Sequence, residues 1–142
     1  KNDLVPVSKE INYLTNYIEL EKIRLESTLD LEFDSAVAEH EDAGIAPLIL
    51  MVFIENAFKH ARQVLSEPIR IKIHISLSTQ KVLTLNVENN YLNDGIRNSG
   101  GLGLLNVKKR LELLYPGNLH HLEIKKELKF YTVNLQLQLN NG

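Results

Sequence analysis

Apolar and polar residues alternate along four stretches of the chain, and each predicts a strand with one wet face and one dry face. Ile69, Ile71, Ile73, Ile75 and Leu77 interleave with Arg70, Lys72, His74, Ser76 and Ser78, the period of two that a half-buried strand imposes. Leu83, Leu85 and Val87 resume the pattern after a break at 78–80, so the two runs read as a hairpin. Val133, Leu135, Leu137 and Leu139 alternate with Asn134, Gln136 and Gln138, and Leu122 with Ile124 marks a shorter strand before them. Earlier, Leu29, Leu31 and Phe33 alternate with Thr28, Asp30, Glu32 and Asp34. Strands that are wet on one side only belong to a mainly antiparallel sheet.

Three other stretches carry helical spacing. Ile11, Leu14, Ile18 and Leu25 recur at three, four and seven, with Ser8 as the start after Pro6 and an end near Ser27. Residues 35–44 then read as an irregular acidic loop. Residues 48–63 form a helix that is apolar almost all round, with Pro47 in its first turn. The third helix follows Gly100, Gly101 and Gly103 and presents Leu104, Val107, Leu111 and Leu114 inward, with Lys108, Lys109 and Arg110 on its wetter side. Helices must cover the dry face of the sheet. The expected fold is a two-layer α/β sandwich, a mainly antiparallel mixed sheet of about five strands with about three helices on one face.

A chain of 142 residues can bury a core unaided, and no repeat or linker divides it. No apolar run reaches the length of a membrane span. The absence of cysteine excludes disulfides and thiolate chemistry, and a net charge of -2 weighs against a nucleic-acid face.

The helix at 48–63 holds the first candidate chemistry. Glu55, Asn56, Lys59, His60 and Gln63 fall within roughly 140° of one another at about 100° per residue. Buried carboxylate, amide and ammonium groups need partners, so this stripe faces either water or a polar ligand such as a metal-bound polyphosphate. The glycines at 100–103 are the second candidate: they permit close backbone approach, and a helix start offers free N–H groups to phosphate. No Gly-Lys-Ser/Thr follows, so this is no Walker loop.

Phe53-Ile54-Glu55-Asn56-Ala57-Phe58-Lys59-His60 resembles the N box of the GHKL ATPases, and Gly101-Leu102-Gly103-Leu104 resembles their second glycine box. With the opening segment from Val5, the chain is more narrowly similar to sensor histidine kinases of the LytS/YehU type, over nearly its whole length. The resemblance implies a Bergerat-type sandwich that binds ATP with Mg²⁺. It makes Asn56 the metal ligand and Lys59 a phosphate contact, and puts His60 beside the nucleotide. It places Gly101, Leu102, Gly103 and Leu104 against the phosphates and Asn89, where the family usually has aspartate, at the adenine. Glu55 is the candidate catalytic carboxylate, either polarising the phosphoacceptor or ordering water. Family bases usually stand four residues before the asparagine, where this chain has Val52. The first glycine box is degraded to Asn90, Tyr91 and Leu92, with Gly95 later, and 91–99 would form a lid.

The resemblance also implies a division of labour. Residues 1–27 would end a connecting helix and 28–142 would form the catalytic domain of a protein-histidine kinase. Its γ-phosphoryl group would go to a histidine on an upstream dimerising helical domain, and thence to a response regulator. The whole would be a membrane-anchored homodimeric bacterial sensor with this domain in the cytoplasm, touching neither membrane nor nucleic acid. Two readings stand beside it: a GHKL ATPase that hydrolyses ATP to drive conformational change, and a nucleotide-binding pseudokinase or regulatory module. None of His40, His74, His120 and His121 shows metal-ligand spacing.

Overall fold

A computed structural model describes residues 4–25, 28–37, 43–64, 68–91 and 101–139. In chain order the elements are β1 (Val5–Pro6), α1 (Val7–Leu25), β2 (Leu29–Ala36), β3 (Gly44–Ile45), α2 (Met51–Arg62), β4 (Ile69–Leu77), β5 (Val82–Asn90), α3 (Gly101–Leu114), β6 (His120–Lys126) and β7 (Phe130–Gln138). Five strands form the main sheet in the order β2-β4-β5-β7-β6. The β2 and β4 strands pair in parallel and every other neighbour is antiparallel. A parallel pair needs a crossover, and α2 supplies it, which lays this helix across the sheet.

The alternation sorts the faces as expected. Ile71, Ile75, Leu83, Leu85, Leu135 and Leu137 are fully buried, while Arg70, Lys72 and His74 are exposed. The hairpin turns where predicted: Lys81 N–H donates to the Ser78 carbonyl at 3.0 Å and Val82 N–H to Ser78 Oγ at 3.1 Å. Over the dry face, α2 sinks Phe53, Ile54, Ala57, Phe58 and Ala61. The α1 helix adds buried Leu14 and Ile18, and Tyr17 meets the edge of Phe58 with ring centroids 5.7 Å apart. From α3 come Leu104, Val107 and Leu111. Each large apolar side chain so buried contributes about 1.5–3 kcal/mol, and all three helices share one core.

The structure departs from the sequence pattern at several boundaries. The α2 helix begins at Met51, and Pro47 stands in a turn before it rather than in its first turn. The cause is Leu48, whose φ of 63° is left-handed and breaks the helix. Of the loop expected at 35–44, residues 35–36 belong to β2 and Gly44 to β3, which pairs with β1; residues 38–42 lie outside the described residues. Gly101 and Gly103 lie in the first turn of α3 rather than before it.

Three side chains clamp the strap that enters α2. Tyr115 Oη accepts from Ala46 N–H at 3.0 Å, Arg110 donates to the Pro47 carbonyl at 3.0 Å, and Glu10 Oε2 accepts from Leu48 N–H at 3.1 Å. Arg110 is thus half-buried and structural, not part of a wet face. These bonds offset the left-handed Leu48, which costs roughly 1–2 kcal/mol in a residue with a Cβ. Glu10 is only 4% exposed. Burial raises its pKa, against the Leu48 N–H and the charge of Arg110, which lower it. A raised folded-state pKa means that Glu10 favours folding below the ordinary carboxylate range and loses that contribution as pH rises through the raised value. Wild type should therefore gain stability relative to Glu10→Gln as pH falls from neutral towards 5. Denaturant midpoints of both proteins at the two pH values check this; an unchanged difference would contradict it.

Candidate functional site

The polar stripe of α2 divides by depth. Glu55, Lys59 and Gln63 are exposed, Asn56 is half-buried and His60 is only 3% exposed. Beneath the stripe, β5 and β7 bring Asn89 directly opposite Tyr131 in their antiparallel register. Both are 1% exposed. The His60 ring stands edge-on to Tyr131 at 4.5 Å, and Tyr91 completes an aromatic trio, 5.3 Å from His60 and 5.1 Å from Tyr131. The helix thus brings Asn56 and His60 to the end of the sheet that holds Asn89.

Polar atoms gather there without partners. Asn56 Nδ2, Asn89 Oδ1 and Tyr131 Oη are buried and accept or donate no hydrogen bond among the described residues. Each such atom costs about 1–3 kcal/mol, a cost that a polar ligand can relieve, either by bonding the atom directly or by reordering its neighbours. Burial raises the Tyr131 pKa, the facing Asn56 amide lowers it, and Tyr91 raises it again. The Asn56 amide is thus within hydrogen-bonding reach of the phenol, in a geometry too poor to satisfy either atom.

The orientation of Asn89 follows from its neighbour. Its Nδ2 donates to the Asn90 carbonyl at 2.8 Å, and a carbonyl can only accept, so Oδ1 is the atom left for a ligand. Asn90 is itself pinned: its Nδ2 donates to the Pro68 carbonyl at 2.8 Å and its Oδ1 accepts from Arg70 N–H at 3.2 Å. Asn90 thus fixes an acceptor in place.

Along α3 the glycine segment is only partly described. Gly103 is exposed, and nothing lies within 4 Å of where its Cβ would be, which leaves room for a ligand against the backbone. Leu104 is buried in the core, so only its backbone can face a ligand. Gly101 begins the helix, and the side chain of Leu102 is not among those described. Of the lid expected at 91–99, Tyr91 is buried in the aromatic trio; 92–99, with Gly95, lie outside the described residues, as do Gly100 and His40. His74 pairs with Asp34 at 2.9 Å on the wet face, and His120 meets the Tyr115 carbonyl.

A metal would fit only together with a ligand. No group of three or more His, Cys, Asp or Glu side chains among the described residues could hold one. The half-buried Asn56 turns its nitrogen inward, leaving its carbonyl oxygen as a hard donor of the kind Mg²⁺ takes alongside phosphate oxygens and water. A concavity of about 660 Å³ lies on the opposite, open face of the sheet and is lined by Glu32, Asp34, Lys72, His74, Asn86 and Glu88, among others. Lys72 pairs with Glu32 and His74 hydrogen-bonds to Asp34 there, as on a solvated face. Tyr131 is the site residue that the sequence pattern hides: it occupies the same parity as the core residues Val133 and Leu135, and only its orphaned hydroxyl distinguishes it.

Comparison with known proteins places this fold in a class. The catalytic domain of the histidine kinase ThkA superposes with a TM-score of 0.65 at 14% identity, covering 97% of both chains. The mycobacterial sensor histidine kinase MprB gives 0.61 at 13% identity, covering 99% of both. Full-length ShkA, solved with AMPPNP, gives 0.65 at 18% identity over all of this chain and 32% of its own. The fold is that of histidine-kinase catalytic domains.

In sequence, the chain is 32% identical over 79 residues to a sensor-like histidine kinase of Staphylococcus epidermidis. It is 31% identical over 86 residues to the sensor protein kinase HptS of Staphylococcus aureus. These matches cover 55% and 60% of the chain but only 15% and 16% of the relatives. No protein-family model matches the chain. The chain is related to bacterial sensor histidine kinases and has the fold of their catalytic domain. No helix among the described residues is long and apolar enough to cross a membrane.

Proposed function

We propose that this chain is the ATP-binding catalytic domain of a two-component sensor histidine kinase, passing the γ-phosphoryl group of ATP to a histidine on a separate helical domain. The observation that carries the reading is the set of orphaned polar atoms, Asn56 Nδ2, Asn89 Oδ1 and Tyr131 Oη, gathered under the helix that bears the N box-like stripe. The catalytic-domain fold and the sensor-kinase relatives agree with it. ShkA, with the same fold, was solved with an ATP analogue.

Each residue then has a task. Asn89 Oδ1 accepts from the exocyclic amine of adenine, and the Gly101–Leu104 backbone meets the phosphates. Asn56 supplies one oxygen to Mg²⁺, which neutralises phosphate charge. Lys59, exposed one turn later and without an ion pair among the described residues, reaches the phosphates as a point charge. His60 holds the pocket wall against Tyr91 and Tyr131. Glu55 faces solvent, where it can meet an incoming imidazole and orient it towards the phosphorus. The P–O bond to ADP then breaks as the P–N bond forms, so that catalysis rests on positioning and charge. The α1 helix ends the connection to the phosphoacceptor domain. The full protein is a homodimeric, membrane-anchored sensor whose phosphoryl group passes to a response regulator.

The locked amide makes a specific prediction. Inosine triphosphate would present a carbonyl oxygen to Asn89 Oδ1, and turning the amide would break its buried bond to Asn90. Competition binding should therefore show ITP weaker than ATP by about 100-fold or more, since a site built to bond one polar group rejects analogues lacking it. Equal affinities would remove Asn89 from base recognition, and no binding of either nucleotide would defeat the whole reading. Phosphorylation of a separately supplied helical domain distinguishes the kinase from a regulatory module.

A further inference from the structure

Asn56 as the Mg²⁺ ligand, the reading on which this inference rests, can serve the metal only through Oδ1, so something must hold Nδ2 away from it. Groups on α2 itself do not supply that partner: Asn56 Nδ2 is buried and bonds to nothing among the described residues. Beneath this face of α2 lies Tyr131, whose ring meets His60, one turn beyond Asn56, at 4.5 Å. Its hydroxyl is equally buried and equally unpartnered. Its ring is held in place by His60 on one side, at 4.5 Å and nearly perpendicular, and by Tyr91 at 5.1 Å. A phenolic oxygen accepts an N–H readily.

We propose that Tyr131 is the positioning residue for Asn56: in the nucleotide-bound protein Asn56 Nδ2 donates to Tyr131 Oη, which turns Asn56 Oδ1 towards the metal. The two orphaned atoms satisfy each other, so the bond forms without a new partner. It also ties the metal side of the site to the base side, because Tyr131 stands directly across from Asn89 in the β5–β7 register. Binding at the base and at the metal would then be linked through one side chain of β7.

Tyr131→Phe tests this, because it keeps the ring and its packing and removes only the acceptor. Calorimetric titration with ATP, with Mg²⁺ and again in a chelator, should show Mg²⁺-ATP affinity falling about 10-fold or more, the usual range for losing a group that orients a metal ligand. Metal-free ATP affinity should change less than twofold. In the Asn56→Ala background, Tyr131→Phe should have no further effect on the metal dependence. The Asn56 side-chain amide resonances of the wild-type protein should shift on adding Mg²⁺-ATP and shift differently in Tyr131→Phe. Equal losses with and without metal, or no loss, would overturn the proposal. If Asn56→Ala leaves the metal dependence intact, the metal-ligand reading falls and the proposal with it; an effect of Asn56→Ala without one of Tyr131→Phe defeats the proposal alone.

Discussion

Replacing Phe58 with alanine should cost the domain about 3–5 kcal/mol of stability, the range for deleting a fully buried aromatic ring. Phe58 is 0% exposed and stands where α1, α2 and the sheet converge, with Tyr17 against its edge. Its surroundings are the inward residues of two elements fixed by other contacts. The strap clamped by Glu10, Arg110 and Tyr115 holds the start of α2, and Glu21, bonded to Arg62 at 3.1 Å, ties its end to α1. The cavity left by the ring cannot collapse freely, and cost grows with residual volume. Domains of this size are stable by about 5–15 kcal/mol in all, so the variant should melt about 10 °C or more below wild type. Leu113, 79% exposed on α3, is the control: Leu113→Ala should stay within about 0.5 kcal/mol. Similar denaturant midpoints for the two variants would mean that α1 and α2 do not share one core.

Strands and helices were legible in the sequence where one face is dry and the other wet. The runs at 69–77 and 82–90 declare themselves because helices cover only one side of this sheet, so polarity alternates without interruption. Strand order was not legible. The parallel pairing of β2 with β4 depends on α2 crossing between them, and no residue type signals a crossover. The start of α2 was blurred because residues 48–54 are apolar throughout, and only the left-handed Leu48 marks the break. Two-residue strands such as β1 and β3 are too short to show a period.

Legibility of the candidate site followed the same rule. Asn56, Lys59 and His60 stood out as polar residues on an apolar helix, and Asn89 as a polar residue in an inward parity. Tyr131 gave no such signal, since tyrosine is as common in cores as at sites and its hydroxyl matters only for what faces it. Arg110 misled, because sequence spacing places it beside Lys108 and Lys109 while its long side chain folds back to the Pro47 carbonyl. Glu10 was invisible for a related reason: its partner, Leu48 N–H, is a backbone group 38 residues away.

Asn56 carries the largest expected functional effect. If its oxygen completes the metal site, then losing it removes a protein ligand while leaving base recognition by Asn89 intact. Asn56→Asp adds a carboxylate that can still bind metal, and should keep part of the metal dependence; Asn56→Ala should keep none. The half-buried setting of Asn56 makes a small residue there tolerable to the fold, so binding can be compared on folded protein. Calorimetry of the chain with ATP, with and without Mg²⁺, is the direct measurement. Mg²⁺ should strengthen binding to wild type, and Asn56→Ala should lose about 100-fold in Mg²⁺-ATP affinity, equivalent to about 2.7 kcal/mol, with no further response to the metal. Equal Mg²⁺-ATP binding by wild type and Asn56→Ala would contradict the account.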